Sequence, residues 1–156
     1  VIRYEGLGLD NIWLQNGYRW VETGHGHALV VDNVEGLERA VGTRLAEQKA
    51  PLSGQELRFL RDMLEMSQEA LGMRLGRDYQ TVARWEAASK KPVPRSADAM
   101  LRQLYLEKQG ARPLFTAIVD RLAAAARDAV NAAGLSFHED GDGTWLADRD
   151  FPAHAG

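Results

Sequence analysis

The groups in this 156-residue chain best placed to bind something are the cations of residues 67–95. Arg74, Arg77, Arg84, Lys90, Lys91 and Arg95 stand there against Glu69, Asp78 and Glu86. The whole chain has a formal net charge of −3, and residues 111–156 carry four Arg against seven Asp or Glu. Charge is therefore segregated along the sequence, which speaks against a uniformly basic coat and for a local basic patch. Lys90-Lys91-Pro92-Val93-Pro94-Arg95 sets three cations in a loop that two prolines hold extended. That suits phosphate, and we read the loop as a clamp rather than a solvated linker.

Other chemistry is sparse. His25 and His27, two apart on a strand, would share a face, but no cysteine and no further histidine lies near them; we read them as turn and surface residues and expect no metal. Trp13, Tyr18 and Trp20 can be a stacking platform for nucleic acid or the core of a small sheet, and we take the second reading. Asp140-Gly141-Asp142-Gly143 looks like the middle of an EF-hand loop. Aligned on it, His138 and Arg149 would occupy the first and twelfth ligand positions, and neither suits calcium, so we read an acidic hairpin turn. Nucleophile-elbow, P-loop and zinc-protease patterns are absent and no acidic pair points to a pocket, so neither catalysis nor a cofactor is expected. The absence of cysteine fits the cytoplasm. No apolar run approaches the ~18 residues of a membrane span, and without a charged-then-apolar leader pattern export is not expected. The start at Val1 rather than Met is read as the loss of a short preceding piece.

These side chains need elements to hold them. Ile2 to Glu5 reads as a strand. Asn16-Gly17, between Ile12-Trp13-Leu14 and Tyr18-Arg19-Trp20-Val21, is a hairpin signal because both turn residues tolerate positive φ. His27 to Val31 follows as a third strand after Gly24-His25-Gly26. Leu37, Val41 and Leu45, with Ala40 beside them, then mark a helix to about Gln48, and Pro51 closes it. Ser53 and Glu56 form a capping box, and Leu52 and Leu57 a hydrophobic staple, at the start of a helix whose buried face is Leu57, Leu60 and Leu64. Ser67 caps the next helix, with Leu71 and Leu75 inward. Gly76 suits its left-handed end. Asp78 caps a third helix, where Val82 and Trp85 face inward. Only about three residues join these last two, so their steep crossing needs a small residue, and Gly72 supplies it at about 1 kcal/mol of helix propensity. Residues 96–108 form a further helix with Met100, Leu101, Leu104 and Tyr105 inside. Beyond Gly110 and Pro113, Phe115, Ile118, Leu122, Ala125, Ala126 and Ala129 make a helical stripe to about Ala133. Leu135 to His138 and Thr144 to Ala147 then form a hairpin.

The residues Ser67-Gln68-Glu69, Leu71, Leu75-Gly76, Thr81-Val82 and Arg84-Trp85-Glu86 resemble the Xre (Cro-type) helix-turn-helix family in order and spacing, over about residues 53–106. Gly72 stands where that family usually has Ala, and Arg77 where it usually has an apolar residue, which implies a locally looser turn. The strands and helices read above make an α+β, mainly helical fold, and the resemblance implies the form of its central bundle. A lambda-repressor-like helix-turn-helix bundle over 53–109 would sit between a small antiparallel sheet plus helix (1–52) and a C-terminal helix with β-hairpin (110–156), the last a dimerisation or packing segment.

It also implies roles. The third helix enters the major groove, where Tyr79, Gln80, Ala83 and Arg84 face bases. Gln80 suits adenine, Arg84 guanine, and Ala83 a thymine methyl. Gln68 and Thr81 contact phosphate, joined by Lys90, Lys91 and Arg95, and Arg61 braces Glu86. The partner implied is double-stranded operator DNA, bound by a homodimer that regulates transcription, most simply as a repressor. The stretch Gly8 to Tyr18 looks like the start of regulators that put a small β-unit before such a domain. MqsA-type antitoxins share that order of parts but hold zinc through cysteine pairs, which this chain lacks. An antitoxin that represses its own operon and neutralises a cognate toxin is the second reading. A protein-interaction module without DNA is the third.

Overall fold

The computed structural model of the chain describes residues 1–110 and 134–149. Among these residues the fold is α+β, with five helices and two small sheets. It forms two compact units, one built from Val1–Val41 with the strands near the C-terminus, the other beginning at Gly42.

In the first unit, β1 (Ile2–Arg3) pairs antiparallel with β2 (Ile12–Leu14). β3 (Tyr18–Thr23) and β4 (Gly26–Val31) make a separate two-stranded antiparallel sheet. β5 (Leu135–Glu139) lies parallel to β2, and β6 (Trp145–Ala147) pairs antiparallel with β5, giving the order β1-β2-β5-β6. The register sets Ile12 opposite Leu135 and Leu14 opposite Phe137. Side chains alternate across a strand, so these four share one face, and all are buried, as are Leu9 and Trp145.

Two expectations fail here. Asn16-Gly17 is not a hairpin turn. A two-residue type I′ turn needs positive φ at both positions; Gly17 has φ +75°, but Asn16 does not have a positive φ. The Asn16 amide instead pairs with the backbone of Glu139, its Oδ1 accepting from the N–H at 2.8 Å and its Nδ2 donating to the carbonyl at 3.1 Å. The chain therefore leaves β2 for a different sheet, and the C-terminal hairpin, which forms as expected, completes the first sheet through the parallel pair of β2 and β5.

The aromatic residues are not the sheet core either. Trp13 falls on the face opposite Ile12 and Leu14, Trp13 and Tyr18 are half-buried, and Trp20 is 60% exposed. The acidic turn does close the β5–β6 hairpin: Glu139 Oε1 accepts from Gly141 and Gly143 N–H at 2.7 and 2.6 Å, and Asp140 N–H donates to the Thr144 carbonyl. The alanine-rich stripe between Phe115 and Ala129 lies outside the described residues.

α1 (Val34–Glu47) follows Asn33 and buries Leu37, Val41, Leu45 and Ala46. The second unit then contains α2 (Gly54–Met63), α3 (Gln68–Leu75), α4 (Tyr79–Ala87) and α5 (Arg95–Lys108). Its core is Leu52, Leu57, Leu60, Leu71, Val82, Leu101 and Tyr105, all without exposure. Each such aliphatic side chain contributes roughly 1.5–3 kcal/mol on burial. Leu64, Leu75, Trp85, Met100 and Leu104 are half-buried at its margin.

Every orphan N–H of the first turn of α2 is satisfied. Gly54 and Gln55 donate to the Lys91 and Ser89 carbonyls, Glu56 to Ser53 Oγ, and Leu57 to the Ser53 carbonyl. Ser53 N–H donates back to Glu56 Oε1 at 2.9 Å, completing the capping box. A buried pair closes the other side. Arg102 Nε lies 2.7 Å from Asp98 Oδ1, its guanidinium also donates to the Gln48 and Ala50 carbonyls, and Asp98 Oδ2 accepts from Leu52 N–H at 2.6 Å.

Burial pushes the Glu56 carboxyl above its ordinary 4.5, against the smaller opposing pull of hydrogen bonds from Ser53 and Gln48 and of the Arg102 charge. The folded state then holds that proton more tightly than the unfolded state. The resulting stability is present below the unfolded value and is lost as pH rises through the folded one. Glu56→Gln keeps an acceptor for Ser53 N–H without the charge. Its melting temperature relative to wild type should therefore climb between pH 4.5 and pH 7. A constant difference across thermal melts in that range would rule the account out.

Candidate nucleic-acid interface

Two side-chain caps and one glycine set α3 and α4 in place. Ser67 Oγ accepts from Ala70 N–H at 2.9 Å, and Asp78 Oδ1 from Thr81 N–H at 2.8 Å. Gly76 ends α3 at φ +68°, ψ +30°, the left-handed conformation that costs glycine little. Only Gly76, Arg77 and Asp78 separate the two helices.

The turn is tight rather than loose, which corrects the expectation drawn from Gly72 and Arg77. Arg77 N–H donates to the Gly72 carbonyl at 2.8 Å. A Cβ on Gly72 would lie 2.7 Å from the Arg77 carbonyl oxygen and 3.1 Å from that of Asp78. The two unusual residues are thus one feature: the turn backbone occupies the space of the missing methyl, and the Arg77 side chain is left exposed.

α4 is fastened to α2 by a fork of charge-assisted bonds. Arg61 Nε and Nη2 donate to Glu86 Oε2 and Oε1 at 2.7 and 2.8 Å, and Arg61 Nη1 donates to the Met66 carbonyl at 2.7 Å. The two side chains are 11% and 6% exposed. Gln68 Nε2 donates to Glu86 Oε1 at 3.2 Å, so Gln68 belongs to this brace as well as to the exposed end of α3.

Val82 is buried and Trp85 half-buried, so α4 presents Tyr79, Gln80 and Arg84 outward with Ala83 half-exposed between them. Thr81 is engaged locally. Its hydroxyl donates to Asp78 Oδ1 at 2.8 Å and accepts from Arg84 Nη2 at 3.2 Å. These bonds, with the Arg84 charge, hold the fully exposed Asp78 carboxyl below its ordinary range. The result is a relay that draws the Arg84 guanidinium back along the outer face toward the start of α4. It went unread in the sequence, although the three-residue spacing of Asp78, Thr81 and Arg84 was there to suggest it.

The cationic loop is stitched down, not free-running. Lys91 N–H donates to the Ala88 carbonyl, the Lys91 carbonyl accepts from Gly54, and Val93 N–H donates to the Leu52 carbonyl. Gly54 sits under the end of α4, where a Cβ would lie 2.0 Å from the Trp85 carbonyl oxygen and 2.7 Å from that of Ala88. Lys90 and Lys91 are exposed on this loop; Arg95 is exposed too, but as the first residue of α5.

Among the described residues, one group of carboxylates could hold a cation, half-buried Glu139 with the exposed turn acids Asp140 and Asp142. His25 and His27 take no part in it; His138 pairs with Asp148 at 2.7 Å. No helix among the described residues is long and apolar enough to cross a membrane. No family model, curated protein or solved structure matches the chain.

Proposed function

We propose that the protein is a sequence-specific DNA-binding transcriptional regulator of the Xre helix-turn-helix type. It acts as a dimer on a palindromic operator, most simply as a repressor in the cytoplasm. The observation that carries this is the uncrowded outer face of α4, where Tyr79, Gln80 and Arg84 are exposed with Ala83 half-exposed between them. A structural helix has no need to leave such a face open, whereas a groove-reading helix does.

The surroundings support it. Cations outnumber acids two to one across residues 67–95. Arg84, held along the face by Thr81, can pair with guanine O6 and N7. Gln80 can pair with adenine. Thr81 acts in positioning Arg84 rather than as a donor to phosphate, because its proton is used by Asp78. Phosphate contacts fall to Gln68, Lys90, Lys91 and Arg95.

Selection of bound sequences from random duplex DNA tests the reading. An enriched palindrome with half-sites one helical turn apart is expected; no enrichment overturns it. On the selected site, Arg84→Ala should lower affinity by about 1–3 kcal/mol and leave non-specific binding nearly intact. Equal losses on both DNAs would remove Arg84 from base reading.

A further inference from the structure

Arg74 and Arg77 enter the reading above only through the charge of residues 67–95; no contact is assigned to them. Arg74 is in the last turn of α3 and Arg77 in the turn before α4; both are exposed, and neither has a side-chain partner among the described residues. We propose that these two arginines form a second phosphate grip, at the opposite end of α4 from Lys90, Lys91 and Arg95. The proposal rests on the DNA-binding reading and adds to it a backbone contact at the entrance of the recognition helix.

Length makes the first argument. α4 has nine residues, hence about 13.5 Å at 1.5 Å per residue. The major groove is about 12 Å wide. A helix of that length laid into the groove has its two ends near the two phosphate walls. Arg74 and Arg77 precede its first residue, and the lysine loop follows its last.

The turn makes the second. Because its backbone closes onto Gly72, position 77 contributes a carbonyl to the packing and sends its side chain outward. An apolar residue would serve a core there; a long cation serves only the surface.

Asp78 makes the third. Its exposed carboxyl is held ionised by Thr81 and Arg84 and would be repelled by a phosphate. The cap therefore makes no phosphate contact of its own, and the wall beside the start of α4 is left to the flanking arginines. A competing role for Arg74 and Arg77 is to complement the negative end of the α3 dipole. That role affects stability and not the salt dependence of binding.

The test uses a duplex of about 30 base pairs and mixed sequence, so no operator is needed. Each phosphate neutralised contributes about −0.9 to the slope of log affinity against log salt. Arg74→Gln/Arg77→Gln should make the slope shallower by about 1.8. The step from 50 to 200 mM salt should then cost the variant about twelve-fold less affinity than it costs the wild type. Lys90→Ala/Lys91→Ala should flatten the slope independently, and the four-fold variant should show the sum. A wild-type slope in the arginine variant, with the lysine effect intact, overturns the second grip and leaves the DNA reading standing. So does a lowered melting temperature with an unchanged slope, the mark of a dipole role. A wild-type protein without salt-dependent binding overturns the DNA reading and the grip together.

Discussion

Glu86→Ala should destabilise the chain by about 3 kcal/mol, the low end of the range for leaving one member of a buried ion pair unpartnered. The Arg61 guanidinium, 11% exposed, would lose two donor bonds at once, and Gln68 its acceptor. The effect falls at the low end because the exposed Asp62 carboxylate still lies 3.2 Å from Arg61 Nη1. Replacing both partners by apolar residues of similar volume, Arg61→Met with Glu86→Leu, should recover most of the loss, since no buried charge remains. A double-mutant cycle from denaturant melts measures the coupling. A single-variant loss under about 1 kcal/mol, the worth of an exposed pair, would mean that the brace does not hold α4.

Gly54→Ala should cost about 3 kcal/mol or more, beyond the usual range for one inserted methyl. The added carbon would lie 2.0 Å from the Trp85 carbonyl oxygen and 2.7 Å from that of Ala88. Both are backbone atoms at the end of α4, so no side chain can turn away to make room. Relief requires α2 and α4 to separate. That strains the bonds from Gly54 to Lys91 and from Gln55 to Ser89 that hold the cationic loop. The midpoint of urea unfolding should fall sharply. A midpoint shift equivalent to less than about 0.5 kcal/mol, as for an unconstrained surface position, would show that the two helix ends are not in contact.

The same residues show what can be read before a fold is known. The ends of α2, α3 and α4 were legible because a cap is a local event. Ser53 with Glu56, Ser67 with Ala70 and Asp78 with Thr81 are three residues apart, and Gly76 marks a backbone conformation that its own lack of a side chain permits. The outward face of α4 followed from helical spacing around Val82 and Trp85. The Arg61–Glu86 fork was available only through a family resemblance, because 25 residues separate the two in sequence.

Tertiary structure alone decided the rest. The Asn16-Gly17 pattern satisfies the local rule for a hairpin, yet β2 takes β5 as its partner, and Asn16 bonds to Glu139 far along the chain. Local propensity cannot weigh a competitor that distant. The Arg102–Asp98 pair, at i, i+4, carries no local mark of its burial in the sequence; the segment around Gln48, Ala50 and Leu52 buries it and takes up its remaining bonds. Sequence also placed small residues where helices meet without saying which backbone they touch. By itself it determined the polar outer face of α4 and the caps that begin α2, α3 and α4. Packing determined that Gly54 and Gly72 fix the position of that helix, that Thr81 draws Arg84 along its face, and that Arg77 points away from the core. Those outcomes depend on which backbone carbonyls crowd the missing side chain of each glycine and which side chains come within bonding distance, and only the assembled chain sets that.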